Sequence, residues 1–532
     1  MFTWELWFAI VPGLILFLYG IENFSKEIQK VAGERFRSAL VKLTKNSWGG
    51  AALGAVVTAI IQSSTATTVI AVGLVNAGTI SFAQSLGIMF GANVGTTITA
   101  QLIAFKLTGF APFFILLGFL LSIAGGKYKF LGKPLFYFGL VFFSLGLISD
   151  AVEPIKEDPD ILALFSQFSN VFLAILAGII GVIVLQSSSV VTGIVVLLAG
   201  SGLLTLGQSI PIILGANIGT TATSLLAASR MDLYAKRASA AHLIFNVAGV
   251  LLFLPLLGPF ADIVAGIGGT SAQQVANAHL IFNLSATIIF LLALKPFKTV
   301  VEKVVPGEEE EIIFHTMYIG DKIPKSNKKA FEIMEKEIIN LLDVTNKLFD
   351  ESVGFVKSGK VQKLQRVAKL EALNDFLDEK IEKSLLEISK RKLSAKEAER
   401  TVLLVRISNA IEQLGDGGES FGYLSVDMGE TGTSFSPEAV LELEQMYEKF
   451  RENMLIARES IPKISAKNVK SMRKNDNAFR ALTNSSYEKH LERLYSQKAY
   501  AGSSFVEAVS ILEDANFHLR EVRKLSELYS KV

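Results

Sequence analysis

Cysteine is absent from all 532 residues, which excludes disulfides, thiolate metal sites and cysteine nucleophiles. Charge is missing in a patterned way: no Asp, Glu, Lys or Arg occurs in 49–105 or in 161–229. The net charge of only +2 lacks the basic excess that nucleic-acid binding requires, so no nucleic-acid partner is expected. There is also no phosphate loop, serine-triad pattern or zinc signature, and an enzyme is not expected.

What is present falls into two unlike parts. Apolar runs follow one another up to about residue 294, and from 295 onward Lys and Glu crowd every turn, although the mean hydropathy of the whole chain is +0.42. The composition predicts an all-α chain: a polytopic membrane domain over 1–296, a linker over 297–326 and a soluble helical domain over 327–532. Seven apolar segments, 4–20, 82–105, 112–125, 135–149, 206–229, 238–257 and 275–294, are long enough, or nearly so, to span a bilayer. The first has no basic leader or cleavage site and reads as a retained span.

Two further apolar blocks, 49–75 and 171–198, carry polar clusters at mid-depth: Gln62-Ser63-Ser64-Thr65 with Thr67 and Thr68 following, and Gln186-Ser187-Ser188-Ser189 with Thr192 following. Basic loops lie at 26–45, 127–133, 230–237 and from 295 onward. They fall on one side of the membrane only if both polar-centred blocks turn back as re-entrant hairpins. That parity predicts an external N-terminus and a cytoplasmic C-terminal domain, in a multi-pass protein of a cell membrane of the prokaryotic cytoplasmic type.

The segment 62–99 lies on 186–223 at a constant offset of 124 without a gap, sharing QSS, a later QS and GAN-x-GTT-x-T. About half of the positions agree, far more than unrelated apolar segments would. Three expected spans separate the copies, so the repeats, about 4–126 and 133–294, are predicted to be inverted, with a site near the midplane. A second small repeat, AHLIFN, starts at Ala241 and Ala278. Its His and Asn residues either bond neighbouring backbone in two packed helices or, as His242 and His279, relay protons.

Clustered hydroxyls and a carboxamide can bond phosphate oxygens and can also coordinate Na⁺. A helix start at a hairpin tip adds N–H groups and a favourable dipole for an anion. Because the core has no formal charge, a bound anion calls for a co-bound cation, and Na⁺ fits the ligands present. The plainer alternative is close helix packing through Ser, Thr and Gly. Asn93 and Asn217, with Thr96 and Thr220, either add ligands or pin the helix to the hairpin.

These motifs resemble the type II sodium-dependent phosphate cotransporter family, whose signature is a duplicated hairpin bearing QSSS. Gln186 to Ser189 match it fully, and Thr65 replaces one serine by another hydroxyl. The resemblance implies phosphate held by Gln62, Ser63, Ser64, Thr65, Ser188 and Ser189, with Asn93 and Asn217 as further candidates. It implies sodium at Gln186, Ser187, Thr220 and Thr223, and symport by alternating access. A membrane phosphate sensor without transport, or a symporter of another oxyanion, would carry similar residues.

In the C-terminal part Phe331, Met334, Ile338, Leu341, Thr345 and Leu348 recur at helical spacing, Ser394 and Glu397 form a capping-box pattern, and Ser436-Pro437 reads as a helix start after a break at 429–434. Two three-helix halves are expected. This domain resembles the PhoU family, with its E-x-x-x-D metal motifs. Glu371 with Asp375, and Glu412 with Asp416, sit one turn apart and could share a divalent or transition-metal cation; solvated surface acids would look the same. Glu488 with Glu492, and Asp514 with His518, are weaker pairs. Homo-oligomerisation through this domain is compatible with the sequence.

Overall fold

The computed structural model describes residues 4–105, 107–124, 128–307, 309–320, 322–358, 364–496 and 502–532. Gly125, Lys127 and positions 308 and 321 of the expected linker lie outside the described residues. The chain separates into two compact units, Met1–Glu311 and Ile312–Val532, and no strand occurs among the described residues.

The first unit contains α1 (Trp4–Leu43), α2 (Ser47–Ile61), α3 (Ser64–Asn76), α4 (Phe82–Ala104), α5 (Ala111–Ala124), α6 (Lys129–Val152), α7 (Pro159–Ser166), α8 (Val171–Leu185), α9 (Ser188–Gly200), α10 (Leu206–Gly219), α11 (Thr221–Ala228), α12 (Leu233–Phe253), α13 (Leu257–Ile267), α14 (Ser271–Leu292) and α15 (Leu294–Val304). Five described stretches are long and apolar enough to cross a bilayer: Phe82–Ala104, Lys129–Val152, Leu206–Ala228, Leu233–Ile267 and Ser271–Leu292. The expected spans at 4–20 and 112–125 correspond to the first half of the 40-residue α1 and to the 14-residue α5.

Both polar-centred blocks break into two short helices that double back. Thr58 donates its hydroxyl to the Thr67 hydroxyl across 2.9 Å, whereas nine residues of unbroken helix would hold them about 13.5 Å apart. In the second block a Cβ on Gly181 would stand 3.3 Å from the Val191 side chain, ten residues on. The chain enters α8 through a bend of 100°.

The 124-residue repeat extends into three dimensions. Asn46 caps α2 by accepting the Gly49 N–H, and Asn170 caps α8 by accepting those of Phe172 and Leu173. Ser81 and Gln84 form a capping box on α4, as Thr205 and Gln208 do on α10. A Cβ on Gly91 would lie 1.9 Å from Ala51 O, and one on Gly215 would lie 2.0 Å from Ile175 O. Only glycine lets these backbones approach, the usual device for packing apolar helices where no water drives association. α9 packs on α4, and α3 packs on α11, so each hairpin touches the span that follows the hairpin of the other half.

At the end of this unit Arg237, only 4% exposed, donates to the carbonyls of Val305 and Gly307. The segment leaving α15 is thereby fixed to α12.

The second unit contains α16 (Asn327–Ser358), α17 (Leu364–Ser389), α18 (Ala395–Glu430), α19 (Pro437–Ser460), α20 (Ala466–Tyr495) and α21 (Gly502–Tyr529). They form two triplets joined by one continuous core that includes the expected stripe from Phe331 to Leu348. The capping box at Ser394 and the Ser436-Pro437 start both form. Glu337 is fully buried and accepts N–H bonds from Met317, Tyr318 and Ile319, so the connecting segment is anchored to α16.

Candidate functional site

Gln62 and Gln186 are the only non-glycine residues with positive φ among the described residues, at 58° and 54°. A left-handed conformation costs an L-residue about 1–2 kcal/mol. Such cost at two positions related by the repeat marks a functional constraint more than a packing accident. At Gln62 it is offset by the N–H bond to Thr58 O and by Nε2 donating to Ala59 O across 2.5 Å. Gln186 Nε2 donates to Ile183 O in the same way.

The left-handed glutamine ends one helix, and the serine after it starts the next. Ser63 Oγ accepts the Ala66 N–H, and Ser187 Oγ accepts that of Val190. These caps leave the first two N–H groups of α3 and α9 without intrahelical acceptors. Ser64, Ser188 and Ser189 are buried, Thr65 is half-buried, and none of their hydroxyls makes a hydrogen bond among the described residues. Each tip therefore combines free hydroxyls, N–H donors and a helix start in a segment without formal charge.

The halves differ at the glutamines. Thr99 Oγ1 donates to Gln62 Oε1 at 2.6 Å, and Gln62 is buried. Gln186 is exposed, and its counterpart Thr223, half-buried, makes no such bond. Thr96 and Thr220 both turn their hydroxyls back onto their own helices, to Ala92 O and Ala216 O.

Asn93 and Asn217 are held in matching clamps. Asn93 Nδ2 donates to Asn246 Oδ1 at 2.8 Å, and His242 Nε2 donates to Asn93 Oδ1 at 3.3 Å. Asn217 meets Asn283 at 3.2 Å and His279 at 3.3 Å in the same pattern. The AHLIFN repeat thus grips the GAN repeat through side chains, with Asn246 and Asn283 also bonding the carbonyls of His242 and His279. Half of the hydrogen-bonding capacity of both asparagines, one donor and one acceptor position each, is used in this way. His242 Nδ1 meets Ser224, whereas His279 Nδ1 is buried without a partner.

Two residues of the hydroxyl clusters that sequence reasoning assigned to neither ligand stand out. Thr68 and Thr192 are related by the same offset, and both are buried with unpartnered hydroxyls. Each lies one turn beyond Ser64 or Ser188 on the same helix face. Helical threonines ordinarily bond a carbonyl one turn back, as Thr96 and Thr220 do. Their identity in both copies was the available signal.

In the second unit Glu371, Asp375 and Asp416 bring one oxygen each within 4.8 Å of one another. Burial and Asp375 push the Glu371 carboxyl up to about 8; burial and Asp416 push Glu412 up to about 7. Asp378, which sequence reasoning missed, adjoins them and accepts from Ser408 at 2.6 Å. A cluster of converging carboxylates, with Glu371 and Glu412 held in their protonated form by burial, is chemically suited to a hard cation. Asp514 pairs with His518 at 3.6 Å.

The Na+/Pi-cotransporter family profile matches residues 16–150 and 160–272, and the PhoU domain profile matches 338–422. A Bacillus subtilis protein named "Uncharacterized protein YqeW" is 32% identical over 268 residues, 49% of this chain and 86% of its own length. The Salmonella typhimurium "Putative inorganic phosphate export protein YjbB" is 24% identical over 98% of this chain and 96% of its own length. The rat "Sodium-dependent phosphate transport protein 2C" is 43% identical over 107 residues, 18% of either chain. No solved structure matches the chain. The matched profile, the YqeW relative and the repeated hairpins agree: the chain belongs to the Na+/Pi-cotransporter family.

Proposed function

We propose that this chain moves inorganic phosphate across the membrane coupled to sodium, by alternating access of one site built from both hairpin tips. The observation that carries the proposal is the pair of left-handed glutamines, each followed by a serine-capped helix start, in segments free of formal charge. Phosphate would take hydroxyl and N–H donors from Ser63, Ser64 and Thr65 on one tip and from Ser188 and Ser189 on the other. Desolvating a divalent anion in that setting is costly without a counter-ion, and Na⁺ supplies one. The open carboxamide oxygen of Gln186, with Ser187, Thr220 and Thr223, is the proposed sodium site; the Gln62 oxygen already accepts from Thr99. Asn93 and Asn217, bonded in their clamps, would position α4 and α10 and reach phosphate only through their remaining capacity.

The names of relatives support phosphate as substrate and leave direction open. The rat relative named as sodium-dependent matches a short segment, whereas the Salmonella relative named as an exporter matches nearly end to end. The full-length match, soluble part included, favours export as a second reading. On either reading residues 1–296 would transport and 327–532 would regulate, with Glu371, Asp375, Glu412 and Asp416 able to hold a divalent cation. Phosphate binding to the purified chain, measured in NaCl and in KCl at equal ionic strength, tests the sodium site. Tighter binding in NaCl is expected, and equal affinity would remove it.

A further inference from the structure

Away from both the hairpins and the carboxylate cluster, the second unit has a cavity of about 830 Å³ whose lining is strongly basic. One wall is the end of the connecting segment, with Lys322 and Lys325; the other is the turn after α17, with Arg391 and Lys392. Glu387 is the one acid in the lining. We propose that this cavity is a binding site for a phosphate-bearing polyanion, either a free polyphosphorylated solute or an anionic lipid headgroup.

The two walls come from segments that are basic in their own right. Residues 322–329 hold four lysines and no acid, and 390–396 hold three lysines and one arginine and no acid. Like charges of this density repel, and nothing in helix packing requires them to meet. The fold nevertheless staples them together: Arg391 Nη1 donates to Pro324 O at 2.6 Å, and Asn327 Nδ2 donates to Lys392 O at 3.2 Å. Both acceptors are backbone carbonyls, so neither bond neutralises a charge.

Some lysines elsewhere in this unit meet acids. Lys449 pairs with Glu452, and Lys463 pairs with Glu335. Lys322, Lys325 and Lys392 make no ion pair among the described residues. The nearby Glu397 is engaged in the Ser394 capping box. A polyanion bridging the walls would discharge this repulsion, with ammonium groups as point charges and the guanidinium as a directed donor. It would also tie 322–325, the last stretch of the connector, to the turn after α17.

The test uses the full chain in nanodiscs of zwitterionic lipid, with inorganic phosphate saturating so that the hairpin site does not contribute. Tripolyphosphate is titrated calorimetrically. Saturable binding that weakens with added salt is expected, and Lys322→Gln, Lys325→Gln and Lys392→Gln together should weaken it about tenfold or more. The control triple Lys383→Gln, Lys449→Gln and Lys463→Gln, which alters paired lysines, should bind as the parent does. Amide exchange then separates the sources. Protection of 322–326 and 389–393 by anionic-lipid nanodiscs alone identifies a headgroup, and protection only on adding tripolyphosphate identifies a solute. Equal binding by both triples, or no protection under either condition, overturns the proposal.

Discussion

Thr99 closes on Gln62 through a 2.6 Å hydrogen bond, while the residues that repeat them, Thr223 and Gln186, make no such bond. Two copies of one motif thus stand in different chemical states, the first satisfied internally and the second open. Thr223→Val should therefore raise the sodium concentration for half-maximal phosphate transport roughly tenfold, the loss of one proposed hydroxyl ligand being worth about 1.4 kcal/mol. Thr99→Val should change it far less. Sodium titrations of transport on both variants check the difference, and equal effects would deny the asymmetry.

Thr68→Val and Thr192→Val should each stabilise the ligand-free protein by about 1 kcal/mol, because each removes a buried hydroxyl that has no partner. Melting curves with and without phosphate and sodium add a second reading. A gain that vanishes when both ligands are present would make these threonines part of the bound site; a gain that persists would make them bystanders.

Gly91→Ala and Gly215→Ala should fail to give a monodisperse protein. Their Cβ atoms would sit at about half of normal contact distance from the carbonyls of Ala51 and Ile175, and overpacking a tight interface costs about 1–3 kcal/mol or more. Size-exclusion profiles of detergent extracts report the outcome. Gly73→Ala, where nothing lies within 4 Å of the added Cβ, is the control.

Stability of the soluble helices should fall as pH rises. Glu371 and Glu412 keep their protons in the fold up to about 8 and about 7, whereas the unfolded chain releases them near the ordinary value. The fold therefore binds more protons, and stability is lost progressively as pH rises through those folded values. A divalent cation at the proposed carboxylate site would replace the protons, so Mg²⁺ or Mn²⁺ should raise the melting temperature more at pH 8 than at pH 5. In Asp375→Asn with Asp416→Asn that cation effect should disappear.

Much of this architecture was legible in the residues because its signals are local or strictly periodic. The one-sidedness of the basic loops announced both hairpins, the 124-residue offset announced the repeat, and the capping box at Ser394 depends on residues three positions apart. The clamps were not legible: Asn93 meets His242 from 149 positions away, and no local pattern encodes which helix lies opposite. The sequence reading allowed the AHLIFN residues backbone partners or a proton relay; the cross-helix bonds to Asn93 and Asn217 are a third arrangement. That Thr68 and Thr192 lack hydrogen-bond partners was not legible for a related reason, since an absent bond becomes visible only once every neighbour is in place.

The most direct test is flux. Proteoliposomes loaded with radiolabelled phosphate, or exposed to it, are given a sodium gradient in either direction, with potassium as control. The account predicts phosphate movement down the imposed sodium gradient and little movement in potassium. Equal flux in both salts, or none in either from protein that binds phosphate, would contradict it.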